Sequence, residues 1–343
     1  MNTENETGET PVSKESVAKM STKDIVLALF EKNKGFFISG ERIAEELNIS
    51  RTAVWKAVKK LQSEGYDIKA VTNRGYCLRT ESDVMTERGI ASHLNDSCKG
   101  LRPEVFVRVD STNTKCIEKA QQGEPEGYVA IAGSQSAGRG RRGKAFFSPA
   151  DSGIYMSILL RPTGLTENQV LHFTTMAAAA VSEAIEEVSG KKAEIKWVND
   201  IFIDGKKVCG ILSEASYGLM SGNLEYVIVG IGVNAYEPES GFPSAIADVA
   251  GKVFDAPKEG LKNRLAAEIL NHFMEYYEHL PDTPYSEEYI KRSMVTGRDV
   301  TVHRGNERVR AHVLGIDEEF GLKVQYEDGN VEILRSGEIS IRI

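Results

Sequence analysis

The stretch Gln135-Ser136-Ala137-Gly138-Arg139-Gly140-Arg141-Arg142-Gly143-Lys144, followed by Phe146-Phe147-Ser148-Pro149, decides how this chain is read. Its glycines let the backbone bend and bring main-chain N–H groups close to an anion, while three arginines and a lysine add fixed positive charge. Such a loop suits a phosphate or carboxylate ligand. A P-loop would need four residues between its glycines and then Gly-Lys-Ser/Thr, and a dinucleotide fingerprint would open directly into a helix; here the chain heads into another strand. The alternative is an exposed basic turn, because charge runs are usually solvated.

Two flanking motifs bear on that choice. Upstream, a strand over 104–109 ends in Asp110-Ser111-Thr112-Asn113, ahead of a helix over 114–121. N-capping of that helix would by itself account for the cluster. Downstream stands Glu194-Ile195-Lys196-Trp197-Val198-Asn199-Asp200-Ile201. A lysine in such a strand either faces solvent or is paired with an anion, since a buried unpaired ammonium is costly.

Around these motifs the periodicity predicts strands over 128–134, 154–160, 194–197, 201–203, 207–215 and 225–233, with an Asp204-Gly205 hairpin turn. They make a mixed, mostly antiparallel sheet. Long helical patterns run over 166–190 and 259–280, and a shorter one over 285–292. From Val295 onward, short alternating strands with turns at Arg304-Gly305-Asn306, 317–321, 327–330 and Ser336-Gly337 read as a small SH3-like barrel.

The N-terminal part differs in character. Residues 1–20 are polar and acidic, and read as a disordered leader. Ser21 with Asp24 opens a first helix, Ser39 a second and Ser50 a third, with a tight turn at Asn48-Ile49 between the last two. That spacing is a helix-turn-helix, and the hairpin with Arg74 at its tip adds a wing. Between Thr22 and Thr80 stand eleven Lys and Arg against seven Asp and Glu, whereas the whole chain carries a net charge of −8. A local nucleic-acid footprint follows, with Arg51, Thr52, Trp55 and Lys56 towards base edges and Lys59, Lys60 and Arg74 on phosphates. Trp55 could equally pack between helices, and winged folds also serve as protein adaptors.

No apolar run is long enough to span a bilayer, and the N-terminus has no signal-peptide pattern, so a cytoplasmic chain with no membrane partner is expected. Cys77, Cys98, Cys116 and Cys209 show neither metal-ligand nor disulfide spacing, so no metal site is expected. No Ser-His-Asp arrangement, HExxH helix or paired carboxylates compete for the chemistry.

In order and in content, the three motifs resemble the biotin protein ligases, and with the N-terminal segment the chain is similar to the bifunctional ligase-repressor form. The resemblance implies an α+β chain in which 21–82 is a winged helix-turn-helix domain. It makes 83–293 a class II synthetase-like ligase domain that binds biotin and ATP, and 294–343 the SH3-like domain. It implies formation of biotinyl-5'-AMP from biotin and ATP with Mg²⁺, transfer of biotin to a lysine of biotin carboxyl carrier protein, and biotin-responsive repression at operator DNA by a homodimer. Residue by residue, it places Ser111, Thr112, Asn113 and Gln135 on biotin, where hydroxyl and amide groups can hydrogen-bond the ureido ring. Arg139, Gly140 and Arg141 become a loop ordering over biotin and the adenylate phosphate. Lys196 holds the biotin carboxylate and α-phosphate oxygens, the Gly210 backbone lines the pocket, and Asn199, Asp200 and Asn234 serve ATP or Mg²⁺. Lys196 and Arg141 are then the catalytic pair. Two positions depart from the family pattern: Val198 stands for a proline, which should loosen the turn, and Phe146 for a tryptophan. A lipoate or octanoate ligase, or a ligand-sensing repressor without catalysis, would share the fold; the arginine loop, Gln135 and Lys196 favour the biotin ligase.

Overall fold

The computed structural model describes residues 21–63, 66–78, 83–163, 170–218, 223–304, 307–335 and 337–340. The expected leader, the start of the long helix before Val170 and parts of two C-terminal turns lie outside them. The chain divides into two compact units between Ser82 and Asp83.

In the first unit, α1 (Thr22–Lys32) opens on a capping box in which Ser21 and Asp24 satisfy each other's backbone N–H groups. Ser39 caps α2 (Gly40–Glu46), accepting from the Arg42 N–H, and Ser50 caps α3 (Arg51–Ser63), accepting from Ala53. Asn48 takes the left-handed conformation that the tight turn between them requires. Strands β1 (Ile68–Val71) and β2 (Gly75–Leu78) pair antiparallel as the wing hairpin. Val26, Phe30, Ile43, Val54, Val58 and Leu61 bury the helices against one another in a core that Ile68 and Leu78 of the hairpin complete.

The second unit is built on a seven-stranded sheet of order β3-β4-β5-β9-β8-β7-β6. Its strands are β3 (Arg102–Phe106), β4 (Tyr128–Ala132), β5 (Gly153–Leu160), β6 (Glu194–Lys196), β7 (Asp200–Ile203), β8 (Lys206–Tyr217) and β9 (Leu224–Asn234). Only β3 and β4 run parallel; the other pairs are antiparallel. A short α4 (Glu87–Ala91) precedes β3. The period of two sorts the strand residues cleanly. Ile154, Met156, Ile158, Val229, Ile231 and Ile211 share the main core with α6 (Val170–Ser189) and α7 (Leu261–Tyr277) on one face. On the other, Leu159, Ile228, Tyr128 and Ala130 pack with Cys116 and Ala120 of α5 (Thr112–Gln121). Covered on both faces, β4 and β5 are buried along their whole length, which is why they read as continuous apolar runs.

Several boundaries differ from the sequence reading. The first strand ends at Phe106 and not Val109, leaving Val109 to make an isolated bridge to Gln135. α7 begins only at Leu261, because Gly260 has a positive φ that interrupts the helix there. At Val198-Asn199 the chain reverses fully, so β7 returns antiparallel on β6 with Asp200 opposite Lys196. That reversal is closed, not loose: Val198 is buried and its carbonyl accepts from the Tyr289 hydroxyl of α8 (Ser286–Lys291).

The C-terminal segment forms an antiparallel sheet of order β13-β12-β11-β10-β14. These strands are β10 (Asp299–Arg304), β11 (Glu307–Ile316), β12 (Leu322–Tyr326), β13 (Val331–Leu334) and β14 (Glu338–Ser340). Its loop residue Phe320 is fully buried, stacked on Tyr285 and edge-on to Tyr289 and His172. The Phe320 carbonyl accepts from Trp197 Nε1 at 2.9 Å. The C-terminal sheet therefore grips the residue beside Lys196. Among the described residues no helix is long and apolar enough to cross a membrane.

Candidate functional site

The α5 face of the sheet has a gap where its side chains run out. In register, Gly210 lies opposite Gly232 and Leu212 opposite Gly230, while Gly232 and Gly230 oppose Tyr155 and Ser157 on the other side. Three glycines at adjacent positions on one face leave a hollow, and its tolerance is small. A Cβ at Gly230 would stand 2.0 Å from Asn113 Oδ1, and one at Gly232 would stand 2.5 Å from the Phe146 ring. Phe146 thus roofs the glycine floor, as an apolar lid should.

One end of the hollow is polar. Ser111, Thr112 and Asn113, at the N-terminus of α5, are all buried. Ser111 holds the cap position but makes no side-chain cap hydrogen bond, so capping does not account for the cluster. Instead the Thr112 N–H donates to Gln135 Oε1 at 2.8 Å, and Gln135 Nε2 donates to Ser148 Oγ at 2.9 Å. Ser157 Oγ lies 2.7 Å from Thr112 Oγ1 and 2.6 Å from Asn113 Oδ1. Asn113 Nδ2 donates to Glu214 Oε2 at 2.7 Å.

The other end is charged. The basic loop lies over the hollow: Arg139 pairs with Glu214 at 2.8 Å, and Arg141 Nη1 donates to Asn199 Oδ1 at 2.9 Å. Lys196 is half-buried and lines the cavity, its ammonium 6.0 Å from the centre of the Phe202 ring. Lys207 Nζ pairs with Asp200 Oδ1 at 2.6 Å. The cavity wall is shared by Ser111, Thr112, Asn113, Gln135, Arg139, Gly140, Arg141, Lys196, Asn199, Asp200 and Gly210, so eleven of the twelve positions expected there converge. Asn234 is not among the lining residues; its amide donates to the Gly251 carbonyl at 3.1 Å and braces the chain after β9. Sequence reasoning passed over Ser157, Glu214 and Lys207. Ser157 had a signal, the one serine in the apolar run of β5, whose other hydroxyl is that of Tyr155; Glu214 and Lys207 reach the site only through the register of β8.

In the first unit, α3 buries Val54, Ala57, Val58 and Leu61 and exposes Arg51, Thr52, Trp55, Lys56, Lys59 and Lys60. Trp55 does not pack between helices: 52% of it is exposed. Arg74, also exposed at the hairpin tip, holds its guanidinium 4.4 Å above the Phe37 ring.

Two family models match the chain: residues 105–234 fit the biotin/lipoate A/B protein ligase family, and residues 23–77 an HTH domain. The bifunctional ligase/repressor BirA of Bacillus subtilis is 32% identical over 314 residues, spanning 90% of this chain and 94% of the relative. The chain belongs to the bifunctional biotin ligase/repressor family. BirA of Escherichia coli K12 is 27% identical with the same coverage. Among solved structures, the Aquifex aeolicus biotin protein ligase in complex with biotin and ATP superposes with a TM-score of 0.59 at 26% identity, covering 70% of this chain and 98% of that one. The family's two functions thus map onto the two compact units, and the hollow with its basic loop falls within the matched ligase segment or beside it.

Proposed function

We infer that this protein is an ATP-dependent biotin protein ligase that forms biotinyl-5'-AMP, passes biotin to a lysine of a carrier protein, and represses transcription through its helix-turn-helix unit. The observation that carries this reading is the convergence of a hydrogen-bonding cluster at the start of α5 and a set of cations in the lining of one hollow. A carboxylic acid with a polar ring fits between them, ring first.

Hydroxide is too poor a leaving group for direct amide formation, so the acid must be activated. Its carboxylate attacks the α-phosphorus of ATP in line, forming the acyl–phosphate bond as pyrophosphate leaves. Negative charge concentrates on the transferring phosphoryl group, and fixed cations stabilise it without reorganising. Lys196 and Arg141 take that role, with Arg139 and the Gly140 backbone closing over the adenylate. Ser111, Thr112, Asn113 and Gln135 orient the biotin ring, and Gly210 leaves room for it. In the second step the carrier's neutral lysine amine attacks the acyl carbon, AMP departs, and the amine gives up its proton.

Asp200 is the carboxylate in the cavity lining, beside Asn199. A single carboxylate suits a Mg²⁺ ion that keeps most of its ligands from phosphate and water, and such an ion would offset the charge of the ATP phosphates. Asn234 would act on this end only by bracing the backbone.

The same reading assigns 21–82 to a winged helix-turn-helix domain, 83–293 to the ligase domain and 294–343 to an SH3-like barrel, after a leader over 1–20. Arg51, Thr52, Trp55 and Lys56 face bases, and Lys59, Lys60 and Arg74 face phosphates. Adenylate-bound protein forms a homodimer on a two-fold operator, and the protein acts in the cytoplasm. Transfer of labelled biotin to a purified carrier domain, with operator binding measured with and without biotin and ATP, tests both halves. Labelling without biotin-dependent operator binding would retain the enzyme and remove the repressor.

A further inference from the structure

Glu214, on β8, is not a catalytic residue in the reaction above, yet it faces two of the assigned ligand-binding residues at once. Its Oε1 takes Arg139 Nη2 at 2.8 Å and its Oε2 takes Asn113 Nδ2 at 2.7 Å. A carboxylate only accepts hydrogen bonds, so it forces Asn113 to turn its NH₂ group this way. The second partner of that NH₂, the Leu212 carbonyl at 3.4 Å, is an acceptor too and agrees with this orientation.

The consequence runs along the floor of the hollow. With its NH₂ committed, Asn113 presents Oδ1 to Ser157 Oγ at 2.6 Å, and Oδ1 can only accept. Ser157 is fully buried and has one hydroxyl proton, which goes to Asn113. The 2.7 Å hydrogen bond between Ser157 Oγ and Thr112 Oγ1 must then be donated by Thr112. Thr112 has one hydroxyl proton and two acceptors in reach, Ser157 Oγ at 2.7 Å and Gln135 Oε1 at 3.2 Å, the latter also accepting from the Thr112 N–H; with the Ser157 proton on Asn113, the shorter contact takes it. The lone pairs of Thr112 Oγ1 remain for a ligand donor.

We propose that Glu214 is a positioning residue that sets the direction of this hydrogen-bond chain through Asn113 and Ser157, so that Thr112 presents an acceptor to a ring N–H of the ligand and favours ureido-bearing acids over acids without ring N–H groups. The proposal rests on the biotin-ligase reading. If Glu214 becomes glutamine, its amide can donate as well as accept, Asn113 is free to turn over, and the chain can reverse. Thr112 then competes with the ligand N–H as a second donor.

The test is calorimetric titration of the full chain with biotin, without ATP, for the unmodified protein, Glu214→Gln, Ser157→Ala and the double variant. Thermal melting checks that each variant is folded, and Ser157→Cys replaces Ser157→Ala should the latter not fold. Each single variant is expected to weaken biotin binding roughly tenfold or more, the cost of a mismatched buried hydrogen bond. The double variant should bind about as well as Ser157→Ala alone, because the chain is already cut at Ser157. Unchanged affinity in Glu214→Gln would overturn the proposal. So would additive losses, which would mean that Glu214 acts through Arg139. Unmodified protein that binds no biotin would remove the ligase reading itself, a result distinct from either of these.

Discussion

Arg141 Nη1 donates to Asn199 Oδ1 at 2.9 Å, tying the basic loop to the β6–β7 reversal that carries Lys196. The two cations assigned to the phosphoryl transfer are thus held by one turn. Lysine cannot keep this amide and also present a planar fork to an anion. Arg141→Lys should lower the rate of adenylate formation by on the order of tenfold or more, as followed by stopped-flow pyrophosphate release, with the melting temperature nearly unchanged.

The glycine floor gives a steric test. A methyl group at Gly230 would meet Asn113 Oδ1 at 2.0 Å, whereas nothing lies within 4 Å of one at Gly100. Gly230→Ala should displace Asn113 and weaken biotin binding roughly tenfold or more, and Gly100→Ala should bind as the unmodified protein does. Equilibrium dialysis with radiolabelled biotin distinguishes the two.

Phe320 is fully buried against three rings, and its carbonyl holds Trp197. Phe320→Ala should cost about 3–5 kcal/mol of stability, read from urea unfolding. It should also lower adenylation beyond what partial unfolding explains, because the residue next to Lys196 loses its anchor.

His172 packs in the same aromatic cluster, and burial lowers its pKa from the ordinary 6.5, outweighing the partly exposed Glu319 beside it. Among the described residues neither ring nitrogen has a hydrogen-bond partner. Because the folded state binds the proton less well than the unfolded chain, the stability contribution is complete above about pH 6.5 and is lost as the pH falls below it. His172→Phe should flatten that acid limb, with melting temperatures at pH 7.5 and pH 5.5 closer together than in the unmodified protein.

On the nucleic-acid side, Lys59 and Lys60 are exposed on α3. Replacing both with alanine should make the fall of log affinity for operator with log salt shallower, by about one in slope for each phosphate left without its lysine. Trp55→Ala should weaken specific binding and shift stability by no more than about 0.5 kcal/mol, since half of the side chain is already in water.

Local signals made much of this molecule legible in its sequence. Ser21, Ser39 and Ser50 announce three helices because a cap bonds within four residues of itself, and the basic loop announces an anion site through its composition alone. What stayed hidden depends on register and distance. Glu214 looks like any strand carboxylate until β8 pairs with β9 and turns it towards Asn113. The bond from Trp197 to Phe320 joins positions 123 residues apart, and no periodicity reports such a pairing. Asn234, which the family resemblance alone put with ATP or Mg²⁺, donates its amide to the Gly251 carbonyl, a contact no local pattern announces.

The central claim is that this hollow activates biotin with ATP, and pyrophosphate release by the purified full chain tests it most directly. With ATP-Mg²⁺ and biotin, the account predicts release and a bound species with the mass of biotinyl-5'-AMP, no release with lipoate, and loss of the biotin signal in Lys196→Ala. Silence with both acids, or equal release with lipoate, would contradict it.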